Sequence, residues 1–101
     1  MAVKTKQEIA NEIQNYILNK GGSYSQWYVG IAAKPRARLF EDHNVDENNN
    51  LSIFRECSGS VEARELEKYF IDNLGTSGGD GGGSYNTKYI YAYKKTINTR
   101  E

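Results

Sequence analysis

Along the first twenty residues, Ile9, Ile13, Tyr16 and Ile17 recur at helical spacing within an otherwise polar stretch, which predicts a helix with one buried stripe. Thr5 and Glu8 have the form of a capping box, in which hydroxyl and carboxylate each satisfy the other's backbone N–H. Gly21-Gly22 supplies the stop, so the helix runs from about Lys6 to Lys20. The apolar pattern then shortens. Gln26 to Ala32, QWYVGIA, reads as a strand bounded by turn formers. Pro35 suits the first turn of a second helix, where its missing N–H costs nothing, and that helix reaches about His43. A polar loop, Asn44 to Asn50, leads to a weakly alternating second strand, Leu51 to Cys57. Ser60 is read as the cap of a third helix, with Glu62 in its first turn where the helix dipole favours negative charge, ending near Leu74. Residues 75–84, GTSGGDGGGS, form a flexible glycine-rich loop. Lys88 to Lys95, KYIYAYKK, is a third strand with Tyr89, Tyr91 and Tyr93 on one face.

The element order is α-β-α-β-α-β. It predicts an α/β chain of the α+β kind: a small, mostly antiparallel three-stranded sheet flanked by helices in one domain. Its 101 residues suffice for a single core. Thirteen Lys and Arg balance thirteen Asp and Glu, so a nucleic-acid partner cannot be argued from overall charge and would need a local basic surface. Cys57 is the single cysteine, which excludes an internal disulfide and a cysteine-cluster metal site. No apolar run approaches the roughly 20 residues of a membrane span, and MAVKTKQEIANE lacks a signal-peptide core. The expected compartment is the cytoplasm, with no membrane partner. The glycine-rich loop does not have the form of a phosphate loop, because it precedes a strand and lacks the following Lys-Ser/Thr. It reads as a tether or lid.

One acid stands out. Ala63, Leu66, Phe70, Ile71 and Leu74 fall within about 140° of arc on the third helix. Glu67 falls inside that arc, whereas Glu62 and Glu65 project outside it. A carboxylate turned toward the protein needs a partner, because an unpaired buried charge costs several kcal/mol or forces a proton on. It is either a structural ion pair or rim residue, or a metal ligand or general base in a cleft.

Arg36 and Arg38 open the second helix. If Leu39 and Phe40 face the core, Arg36 and His43 project on their side, and Arg38 lies about 100° from Leu39. Periodicity therefore favours Arg36 as the inward arginine. An arginine beside a helix N-terminus can clamp a phosphate together with backbone N–H groups; the alternative is two solvated helix charges. His43 is the sole histidine, and on an apolar flank such a residue is more often a packing or capping group than a ligand. Tyr28, too, is in such a strand more often a core aromatic than a site residue.

YVG at 28–30, Arg38 ten residues after Tyr28, RLFEDHN and the later Glu67 together resemble the GIY-YIG nuclease superfamily over about residues 26 to 86. The family pattern is a tyrosine-containing strand, a second strand ending in YIG or YVG, a helix bearing an arginine, and a later helix whose glutamate binds one divalent metal. The resemblance implies that Tyr28 is the second-motif tyrosine, Gly30 its glycine and Arg38 the family arginine. It further implies that His43, one residue later than usual, is the helix-ending histidine. Glu67 would be the metal ligand, for Mg²⁺ or Mn²⁺, and Asn86 the asparagine that often follows. Arg36 and Gly30 join Asn86 as candidate substrate-binding positions. No GIY tripeptide precedes WYVG. Tyr16 has nearly the right spacing but sits on a helix, and Tyr24 is too close for a hairpin. A third possibility is that the last strand, KYIYAY, lies beside YVG and supplies the phenol from Tyr91 at its centre.

The implied chemistry is hydrolysis of a phosphodiester in DNA. The metal on Glu67 would stabilise the leaving oxygen and Arg38 the pentacovalent phosphate, while a tyrosine, its pKa lowered by arginine and metal, would help deprotonate water. The alternative is a degenerate module of the same fold that binds nucleic acid or a protein partner without cleavage. Small nucleases of this type are usually attached to a DNA-binding domain, so a homodimer or a separate targeting partner would supply that role.

Overall fold

The computed structural model describes residues 4–47, 50–78 and 87–100. The capping box forms: Glu8 N–H donates to Thr5 Oγ1 at 3.1 Å, and Thr5 N–H donates to a Glu8 carboxylate oxygen at 2.8 Å. Helix α1 (Lys6–Lys20) buries Ile9, Ala10, Ile13 and Ile17. It stops where Gly21 takes a φ of 92°, a backbone region that L side chains resist. A short 3₁₀ turn, Tyr24–Gln26, then leads into β1 (Trp27–Ala32).

Strand β1 joins β2 (Ser52–Glu56) and β3 (Tyr89–Lys94) in an antiparallel sheet of order β1-β3-β2. The last strand in sequence is thus the central one. Its register places Tyr91 opposite Gly30 on one side and Phe54 on the other. Strand side chains alternate between faces, so Trp27, Val29, Ile31, Ile53, Ile90 and Ala92 share one face. There they meet the buried residues of α1, Ala63 and Leu66 of α3 (Ser60–Tyr69), and Phe70 just beyond it. Tyr28, Ala32, Tyr91 and Tyr93 share the other, packed with Leu39 and Val45. The expected α+β architecture and element order are those observed.

Two details differ from expectation. Ser60 opens α3 rather than capping it: extended Gly59 holds the cap position without a side-chain bond. Ser58 Oγ instead donates to a Glu62 carboxylate oxygen at 2.9 Å, bringing that acid back over the start of the helix. Both later helices also widen at their ends. Helix α2 is α-helical only over Pro35–Ala37 and continues as a π turn over Arg38–Asp42, and α3 continues as a π turn over Phe70–Leu74. The first of these closes with His43 N–H donating to Arg38 O at 2.8 Å, a five-residue step of the kind found frequently at functional sites.

The outer edge of β1 is covered by Ser77. Its N–H donates to Trp27 O at 2.8 Å, and its carbonyl accepts from Val29 N–H at 2.9 Å. Most of the glycine-rich loop, 79–84, and Asn86 lie outside the described residues. Among the described residues, no helix is long and apolar enough to cross a membrane.

Candidate active site

The site is organised around a missing side chain. A Cβ at Gly30 would fall 2.4 Å from the Tyr91 phenol oxygen, so the Tyr91 ring crosses β1 only because that position is glycine. The phenol then reaches His43, whose Nε2 lies 2.7 Å from its oxygen. The Arg38 guanidinium acts on the same phenol through its charge. Tyr28 stacks next to this pair, its ring centroid 4.7 Å from His43, 5.2 Å from Tyr93 and 6.4 Å from Tyr91. Glu67 is 7% exposed on α3, and its charge acts on the Tyr91 phenol. Four elements therefore contribute: β1, the α2 π turn, α3 and β3.

The π turn explains how Arg38 and His43 come together. In an α-helix, residues five apart diverge by about 140°. The wider turn brings position i+5 back toward i, and it absorbs the one-residue excess in the spacing from Arg38 to His43. The same turn corrects the expectation for Arg36. Its side chain is 60% exposed, paired with Glu47 at 2.7 Å and set over the Phe40 ring at 5.1 Å. Two causes combine: the 100° period does not hold through a π turn, and Phe40 is only half-buried, so it does not mark the core direction. Leu39 and His43 do, both being buried.

The protein's own groups do not activate the phenol. Burial, followed by the neighbouring Tyr28 and, more weakly, Glu67, pushes the Tyr91 phenol well above the ordinary tyrosine range. Arg38 pulls in the opposite direction and does not prevail. Tyr91 is therefore a neutral proton donor at physiological pH, not an activated phenolate. Partial burial opposes the charge on Arg38, but Tyr91 and Asp42 outweigh it, so the guanidinium pKa is raised and its charge is secure. Asp42 holds it by an i,i+4 ion pair at 3.1 Å.

Beside Arg38 opens a cleft of about 410 Å³ lined by Ile31, Ala32, Lys34 and Thr87 among others. It offers two cations over a floor of small apolar side chains. Among the described residues no three His, Cys, Asp or Glu side chains gather to form a metal cage. A single buried carboxylate still fits a hydrated Mg²⁺, which keeps several waters and commonly takes one or two carboxylates plus substrate phosphate oxygens. Glu67 would hold such an ion.

Of the residues that sequence reasoning selected, Tyr28, Gly30, Arg38, His43 and Tyr91 are gathered here, and Glu67 reaches Tyr91 through its charge. It missed Tyr93, whose hydroxyl lies 3.2 Å from His43 Nδ1 and donates to the Arg100 carbonyl at 3.0 Å; the alternation of KYIYAY did carry that signal. It also missed the Arg100 carbonyl itself, which faces His43 Nδ1, and main-chain groups leave no trace in residue types. No family model matches the chain, and no curated protein or solved structure does either.

Proposed function

We propose that the chain is a phosphodiester hydrolase of GIY-YIG type acting on DNA, in which the phenol of the absent first motif comes from Tyr91 on the last strand. The observation that carries this reading is the position of the Tyr91 hydroxyl. It sits over Gly30, bonded to His43 Nε2, with Arg38, Tyr28 and Glu67 acting on it. A guanidinium, an imidazole and two phenols, with a carboxylate whose charge reaches them, can bind a phosphate, move a proton and hold a cation.

Arg38 binds the phosphate and opposes the charge that grows on it during attack. Lys34, at the mouth of the neighbouring cleft, steadies the adjoining backbone. The proton leaving the attacking water passes toward the Tyr28 and Tyr91 phenols, and Tyr91 hands its own to His43 Nε2. Imidazole, not phenolate, is then the final acceptor, which suits neutral pH. A divalent cation on Glu67 supplies charge neutralisation at the leaving oxygen when bound. With balanced net charge, grip on the polymer falls to a second copy or a targeting partner.

Incubation with supercoiled plasmid and Mg²⁺ or Mn²⁺ tests the reading. Nicking is expected from the wild type, with a loss of about 10²-fold or more for Glu67→Ala and Tyr91→Phe. Equal nicking by Glu67→Ala, or none by the wild type, removes the proposal. One observation favours the degenerate alternative: Tyr91 is 1% exposed and its hydroxyl is already satisfied inside the protein. Metal-independent DNA binding that survives Glu67→Ala, without cleavage, would support that module instead.

A further inference from the structure

We infer that the segment following β3 fixes the tautomer of His43 and thereby the direction in which a proton can leave Tyr91. The catalytic consequence rests on the hydrolase reading; the tautomer does not. The Arg100 carbonyl lies against His43 Nδ1. A carbonyl oxygen can only accept, so the hydrogen of the neutral ring resides on Nδ1. Nε2 then keeps a lone pair, and the Tyr91 hydroxyl at 2.7 Å must donate to it. Tyr93 reinforces the arrangement by donating to the same carbonyl at 3.0 Å. The two lone pairs of Arg100 O are thus assigned to two donors.

The segment is held in place by bonds that do not involve the Arg100 side chain. Arg100 N–H donates to His43 O at 2.7 Å, so residues 43 and 100 clasp each other through main chain as well as ring. Asn44 Nδ2 donates to Asn98 O at 2.8 Å. A turn between Thr96 and Thr99 closes on itself, with Thr96 N–H donating to Thr99 Oγ1 at 3.0 Å and Asn98 N–H to Thr96 Oγ1 at 3.2 Å. This is the logic by which an outer partner orients a working histidine, with a peptide carbonyl in place of the more familiar carboxylate. Arg100 is here a positioning residue, and it acts through its backbone.

His43 is the sole histidine in the sequence, so two-bond ¹H–¹⁵N correlation spectra of the untagged, ¹⁵N-labelled chain report it without assignment. At a pH where imidazole is neutral, the wild type is expected to show Nδ1 protonated and Nε2 bare. An Nε2–H tautomer or an even mixture overturns the inference, whether or not the protein cleaves DNA. Arg100→Ala should preserve the pattern, because it keeps the carbonyl. Arg100→Pro removes the N–H that anchors the clasp, and Asn44→Gly removes the tie to Asn98 while suiting the left-handed φ of 57° at that position. Each should shift the ring toward a mixture, and plasmid nicking should fall by roughly 10- to 100-fold in the stronger case, as for outer-shell partners of functional histidines. If neither variant moves the populations, the segment does not set the tautomer. Asn44→Gly decides the matter should Arg100→Pro fail to fold. A wild type with the expected tautomer and no nuclease activity would leave this inference standing and remove the reading of the previous subsection.

Discussion

The two faces of the sheet are built from the same three strands and do opposite work. On the face toward α1 and α3, β1 and β3 present Trp27, Val29, Ile31, Ile90 and Ala92. The core there is mostly aliphatic, with Trp27 and Phe70 among its members, and holds by exclusion of water and close packing. On the opposite face the intervening residues are Tyr28, Gly30, Tyr91 and Tyr93, and the helix end above them contributes a histidine and an arginine. That face is also buried, yet its rings are joined through hydroxyls and imidazole nitrogens. Substitutions should therefore separate cleanly: on the first face they should cost stability, on the second function more than stability.

The largest expected effect lies on the aliphatic face, away from the site. Ile13 is fully buried in α1, and Ile13→Ala removes a packed side chain where the surroundings can collapse only partly, costing about 2–5 kcal/mol. Chemical denaturation should show the loss, while nicking per folded molecule stays near that of the wild type. A strong fall in activity without a stability change would mean that the two faces are coupled.

Gly30→Ala breaks the comparison from the other side. The new methyl would collide with the Tyr91 phenol, and this ring is enclosed by His43 and Tyr28. Overpacking of this kind costs about 1–3 kcal/mol. Nicking should fall far more than that loss predicts, because the hydroxyl is displaced from His43. Melting temperature and cleavage rate measured on the same preparation give the contrast, and unchanged cleavage would remove Tyr91 from the mechanism.

The faces also divide an alkaline effect. Burial pushes the Cys57 thiol, on the aliphatic side, up to about 11, and burial raises the Tyr91 phenol on the other side. Both groups keep their protons in the folded state at pH values where the unfolded chain releases them. By linkage, stability is undiminished below the ordinary thiol range near 9.0 and declines as pH rises toward 11. Thermal melts from about pH 8 to about pH 11 should show the decline. Cys57→Ala should remove its earlier part and Tyr91→Phe its later part. A flat profile in the wild type would contradict both shifts.

The aliphatic face was legible in the sequence, because apolar periods and runs report burial directly: Ile9, Ile13 and Ile17 at helical spacing marked the buried stripe of α1, and the apolar run QWYVGIA marked β1. Glu67 was legible for the same reason, as the single acid inside an apolar arc. The second face was harder to read. Its helix leaves the 100° period at Arg38, so that period points to Arg36 as the inward arginine, whereas the π turn carries Arg38 and His43 toward the phenol. Proximity of β3 to β1 joins residues about sixty positions apart and follows from tyrosine count only by elimination. The Arg100 carbonyl belongs to the backbone, which every residue shares, so no reading of side chains could have found it.

The smallest expected effect lies farthest from the site and calibrates the rest. Thr5 and Glu8 cap α1 reciprocally, and Thr5→Ala should cost about 1 kcal/mol of stability with cleavage and the His43 tautomer unmoved. The bond from the Thr5 backbone N–H, and after it the bond with the Thr5 hydroxyl, holds the Glu8 carboxyl below the ordinary carboxylate range. Its contribution is therefore present above that range and is lost as pH falls through the depressed value. Denaturant unfolding at neutral and acid pH should show the gap between the wild type and Thr5→Ala narrowing in acid without closing, because the backbone N–H bond to Glu8 survives the substitution and the hydroxyl's bond to Glu8 N–H is lost at every pH. A constant gap would mean that the threonine acts without the glutamate, as a simple hydroxyl cap rather than one half of a reciprocal pair.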